Sequence, residues 1–131
     1  MMKHRRRMLL NLQKENLIKN AIYKSQCTID VNGKRISGAS TVAGVFFIPV
    51  TAGTYEITKT QEIGGLFRVG YCNDTSLLTP VYDITNQSSG KLTRIITVPE
   101  GYKYICYSGH ASSNGDIYEQ IKAITTVYKM G

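Results

Sequence analysis

Few side chains in this 131-residue sequence are suited to bond-making chemistry, and their spacing limits what they can do. Its two histidines, His4 and His110, stand at metal-ligand spacing neither from each other nor from a cysteine. Cys27, Cys72 and Cys106 are odd in number and too far apart for the paired spacing of a zinc site. They read as reduced thiols behaving as small buried hydrophobes, with Cys72 and Cys106 in strand-forming runs that can be sheet neighbours. Asp74, Asp83, Asp116 and Glu119 contain material for an acid/base pair. No phosphate loop, nucleophile elbow or carboxylate motif organises them. Asn73-Asp74 and Asn114-Gly115-Asp116 carry the hard oxygens of a calcium loop, but these residue types equally satisfy tight turns, and the turn reading is preferred. The sequence therefore assigns no catalytic residue, no metal and no cofactor, and a non-enzymatic role is expected.

Recognition chemistry is better represented. A sugar site needs aromatic faces against C–H groups and planar polar side chains for hydroxyls. Arg68, Tyr71, Asn73, Tyr107 and His110 form the candidate glycan-binding set, with Tyr104 nearby, if their strands lie side by side. Nine tyrosines and no tryptophan weaken the platform, because tyrosines on a sheet also serve as cross-strand packing partners. Single-strand nucleic-acid binding would interleave aromatics with basic residues, and the charge distribution argues against it.

That distribution is lopsided. Residues 1–24 hold seven basic side chains against Glu15 alone, a net +6, while residues 25–131 hold nine basic against eight acidic, a net +1. The chain divides into a basic arm, 1–24, and a nearly neutral domain, 25–131. Arg5, Arg6 and Arg7 can steer the arm toward an acidic surface, and Leu9, Leu10 and Leu12 can anchor it. The opening residues imitate a signal peptide, but Asn11, Gln13 and Lys14 interrupt the apolar segment such a peptide requires. No apolar run reaches the roughly 20 residues of a membrane helix. Synthesis in the cytoplasm without membrane insertion is expected.

The elements that must position these residues read as β-strands. Residues 8–23 suit a short helix or an extended arm equally. Asn32-Gly33 between Cys27-Thr28-Ile29-Asp30-Val31 and Lys34-Arg35-Ile36-Ser37 predicts a two-residue type I′ hairpin. Residues 42–50 are apolar on both faces and predict a buried strand with Pro49 near its end. Thr54-Tyr55-Glu56-Ile57-Thr58-Lys59 alternates, so one face is wet. Further strands are predicted over 66–72, 81–84, 91–98 and 102–108, the last two joined at Pro99-Glu100-Gly101, and a closing strand over 117–124. The fold class is all-β: an antiparallel jelly-roll sandwich of about eight or nine strands with an N-terminal arm or short helix.

Three phrases carry a family resemblance: Ala52-Gly53-Thr54-Tyr55, Phe67-Arg68-Val69-Gly70-Tyr71, and the run from Ile95-Ile96-Thr97-Val98-Pro99 to Glu100-Gly101-Tyr102-Lys103-Tyr104-Ile105. Together with Asn16-Leu17-Ile18-Lys19-Asn20 as a lead-in, residues 16–125 resemble the jelly-roll modules of tailed-phage tail, baseplate and fibre proteins, which resemble carbohydrate-binding modules. The resemblance implies a virion structural protein, made in the host cytoplasm, that docks on other virion proteins through its arm; a homo-oligomer is expected because the arm's apolar residues lack a home within the domain and sheet edges need cover. The alternative it implies is an adhesin module recognising a host surface polysaccharide.

Overall fold

The computed structural model describes residues 15–60, 66–87 and 91–131. Among them are ten strands, one 3-10 turn and one helix. In chain order these are the turn Leu17–Asn20, β1 (Ile22–Ser25), β2 (Cys27–Asp30), β3 (Arg35–Gly38), β4 (Ala43–Pro49), β5 (Gly53–Lys59), β6 (Phe67–Cys72), β7 (Tyr82–Gln87), β8 (Leu92–Val98), β9 (Tyr104–His110), α1 (Ile117–Ala123) and β10 (Thr125–Lys129).

Strands far apart in sequence pair in a nested order. β4 pairs with β9, β5 with β8 and β6 with β7, all antiparallel. The described strands from β4 to β9 thus pair as one long ribbon folded back on itself near residues 73–81. The ribbon crosses between sheets at residues 50–52 and 99–103, where the Val50 amide donates to the Lys103 carbonyl at 3.0 Å. β6 also pairs with β9, which rolls the ribbon up. The result is a five-stranded sheet, β1-β4-β9-β6-β7, facing a three-stranded sheet, β10-β5-β8.

Alternation explains the core. Phe46, Ile48, Phe67, Val69, Ile105 and Tyr107 of the larger sheet meet Tyr55, Ile57, Ile96, Val98 and Val127 of the smaller one. The middle of the larger sheet's opposite face is also covered. The β2–β3 hairpin covers it, setting Cys27, Ile29 and Ile36 on Val45, Phe47, Cys72 and Cys106. β4 is therefore buried on both faces from Ala43 to Ile48, as its uninterrupted apolar run requires.

Three sequence expectations are corrected. The β2–β3 loop has four residues, because Asp30 pairs with Arg35. The Asp30 carboxylate accepts from the amides of Asn32 and Gly33 at 3.0 and 3.2 Å, and the residue at positive φ is Lys34 (φ 50°), not Gly33. Residues 117–123 are helical rather than extended: Asp116 caps the Glu119 amide at 3.0 Å, and Ile117, Ile121 and Ile124 recur at helical spacing. The turn at Gly101 (φ 92°) joins β8 to β9 as expected, and the two strands lie in different sheets. Finally, the boundary drawn at 24/25 cuts through the domain. β1 pairs with β4, Ile18 is buried in the core, and the Asn16 side chain donates to Thr125 O at 3.2 Å and accepts from Val127 N at 2.9 Å.

Candidate functional site

The strand period of two separates the candidate glycan residues. Tyr71 and Tyr107 face the core between the sheets, whereas the Arg68 guanidinium lies on the hairpin side, donating from Nη1 to Ile29 O at 2.8 Å and from Nε to Asn86 Oδ1 at 2.9 Å. Arg68 therefore ties the hairpin to the sheet. His110 ends β9 on Arg68's side; burial, and then the Arg68 charge, hold its imidazole below the usual range. Ser108, paired with Arg68 across the strands, is fully buried with a hydroxyl that finds no partner among the described residues. Tyr107 is 1% exposed, with its ring edge-on to Phe67 at 5.6 Å. Burial pushes its phenol up to about 12, a hydrogen bond with Thr125 opposing. It has no face to offer a ligand. Asn73 is exposed beyond the end of β6, and Tyr104 stands edge-on to Phe47. The five candidates do not converge.

The carboxylates are also engaged. Asp74 accepts from the Ser76 hydroxyl at 2.9 Å and from the Thr75 amide at 2.6 Å, and these bonds hold its carboxyl below the usual range. Asp116 caps α1. Among the described residues no group of three or more His, Cys, Asp or Glu is arranged to hold a metal. The cysteines are buried free thiols, and burial pushes those of Cys27 and Cys106 up. Arg5, Arg6, Arg7, Leu9, Leu10 and Leu12 lie outside the described residues.

A different set of side chains does converge. Tyr71, Tyr82 and Tyr102 form a triangle of rings: Tyr71 against Tyr82 at 5.9 Å, Tyr71 against Tyr102 at 4.6 Å, and Tyr82 against Tyr102 at 5.4 Å. Tyr82 is 44% exposed, and the other two are half-buried.

A β-bulge builds this triangle. Val69 pairs with Thr85 but Tyr71 with Tyr82, so β7 carries one more residue than β6 across this step. Asp83 takes up the extra length at φ 55°. The bulged strand presses onto β6 at Gly70, where a Cβ would meet Val81 Cγ1 at 2.5 Å and the Tyr82 carbonyl at 2.7 Å. From the smaller sheet, Arg94 reaches over to hold the bulge. Its Nη1 donates to Val69 O at 2.7 Å and to Asp83 O, and its Nη2 lies 2.7 Å from Asp83 Oδ2. The bulge, so held, turns Tyr82 onto its two neighbours. Sequence reasoning left Tyr82 and Tyr102 out of the site, although Gly70 inside an apolar strand is a recognised sign of a bulge or close approach.

A second feature lies where the arm joins the domain. Glu15, Leu17, Pro49, Val50, Thr51, Tyr55 and Lys129 line an open cleft of about 570 Å³. The Tyr55 hydroxyl fixes one wall by donating to Thr51 O at 2.8 Å.

Comparison with protein-family models, characterised proteins and solved structures finds no match. The packed antiparallel sheets define an all-β sandwich.

Proposed function

We propose that this chain is a non-enzymatic structural protein of a tailed-phage virion, a tail, baseplate or head-fibre component that docks through its basic arm and displays the sandwich. The observation that supports this reading most is the nested pairing of β4 with β9, β5 with β8 and β6 with β7. We read that winding as a jelly roll, an architecture used by viral capsid and lectin domains. Asn16 adds to it. By bonding to both Thr125 and Val127, it fixes the point at which residues 1–15 join a rigid body. The experiment is peptide mass spectrometry of density-purified particles from cells that carry the gene. The protein should be a stoichiometric component of the particle, and its absence from purified particles would overturn the proposal.

The tyrosine triangle favours a second reading, an adhesin module for a host surface glycan. Tyr82, 44% exposed and set against two half-buried tyrosines, offers the aromatic surface with a polar hydroxyl that sugar recognition needs. A glycan array probed with the purified chain tests it. Binding lost on Tyr82→Ala with an unchanged melt supports the adhesin reading, and a blank array removes it.

A further inference from the structure

The four edges of the two facing sheets are not treated alike. An open edge presents unpaired amides and carbonyls to other chains, and folded proteins usually shorten, bulge or cover it. β1 is only four residues long. β10 is covered where Asn16 bonds its outer rim at Thr125 O and Val127 N. β7 is bulged at Asp83. β8 has none of these devices: its seven residues keep unbroken register with β5, and among the described residues it pairs with β5 alone.

We propose that the free edge of β8 pairs antiparallel with β8 of a second copy, joining two three-stranded sheets into one of six. The strand reads Leu92-Thr93-Arg94-Ile95-Ile96-Thr97-Val98, and five of its seven residues are β-branched. On its outer face Thr93 and Thr97 stand symmetrically about Ile95, which is 56% exposed. A two-fold axis at Ile95 sets isoleucine on isoleucine and places Thr93 of each copy beside Thr97 of the other. This face already uses such pairs: Thr54 meets Thr97 and Thr58 meets Thr93, with Oγ–Oγ distances of 3.1 and 3.0 Å. Each hydroxyl retains acceptor capacity for another.

Charge permits the pairing. The only charged residue of β8 is Arg94, which turns inward to Val69 and Asp83, with its side chain 13% exposed. No like charges face each other across the axis. Area sets the strength. An edge about 24 Å long buries less than the ~1,200 Å² of a stable stand-alone interface, so the dimer is weak and forms at high local concentration. The inference rests on this edge alone and holds whether or not the chain belongs to a virion.

Sedimentation of the full chain at rising concentration, up to ~1 mM, is the test, with two substitutions at the axis. Ile95→Lys should weaken self-association at least ~10-fold and leave the melt unchanged, since the side chain is exposed. Ile95→Cys should give a covalent dimer on mild oxidation, whereas Glu56→Cys, on the same face but one strand in from the edge, should not. A wild-type chain that stays monomeric throughout, a dimer indifferent to Ile95→Lys, or equal cross-linking at both positions would overturn the proposal.

Discussion

Arg94 and Asp83 lie in opposite sheets, yet the Arg94 Nη2 is 2.7 Å from the Asp83 carboxylate. The two ends of this contact differ in environment. The Arg94 side chain is 13% exposed and that of Asp83 57%, so the ion pair itself is screened and contributes little. The stronger bonds run from Arg94 to the carbonyls of Val69 and Asp83. They hold the β7 bulge on which the tyrosine triangle depends.

Removing the two partners should therefore have unequal effects. Arg94→Met strands the part-buried Val69 carbonyl, leaves that of Asp83 to water, and is expected to cost about 1–3 kcal/mol. Asp83→Asn loses only the exposed ion pair and should cost under ~1 kcal/mol. Urea denaturation of both variants measures the difference. Equal losses would mean that the carboxylate, not the carbonyls, holds the bulge.

In the β2–β3 loop the conformational strain lies at Lys34, not Gly33. Lys34→Gly relieves a left-handed backbone costing about 1–2 kcal/mol, part of which is returned to the entropy of the unfolded chain. A net gain of roughly 0.5 kcal/mol is expected. At Gly33 an added Cβ meets mainly the flexible Arg35 side chain, at 2.8 Å, so Gly33→Ala should be nearly neutral. Thermal melts check both. A large loss at Gly33 with no gain at Lys34 would restore the two-residue turn expected from the sequence.

Tyr107 should make the fold sensitive to alkali. Its phenol is pushed up to about 12 by burial, while an unfolded tyrosine ionises near ~10. The raised value means its contribution is complete below the unfolded pKa and is lost as pH rises toward the folded one. Stability should fall between about pH 10 and pH 12 by up to ~2–3 kcal/mol from this group. Tyr107→Phe should flatten that decline when denaturation is followed across the range. An unchanged slope would assign the alkaline loss to other residues.

Local patterns were legible where local physics decides. The apolar run of β4 and the alternation of β5 read directly because burial on two faces or one leaves different residues behind. The helix at 117–123 reads as a strand because Ile117, Tyr118, Ile121 and Ile124 are strand-forming types, and the Asp116 cap tips the balance only with Ile121 docked in the core. The pairing of β5 with β8, some 40 residues apart, is written in no local pattern. Arg68 and Tyr71, three apart in one strand, fall on opposite faces by the period of two alone, but the bulge that brings Tyr82 to Tyr102 depends on contacts at Gly70 that only the packed sheets supply.

The central claim is that the arm docks and the sandwich stands alone, and deleting residues 1–15 tests it most directly. The cut spares Asn16, whose side chain bonds Thr125 and Val127, so the truncated chain keeps its β10 edge and the buried Ile18. Incorporation into purified particles is to be scored beside a thermal melt of the same protein. The account predicts a near-normal melt and lost incorporation, with Arg5, Arg6 and Arg7 changed to Gln giving a partial loss that is greatest at low salt. Full incorporation without residues 1–15 would contradict the docking role, and a collapsed melt would show that the arm is part of the fold.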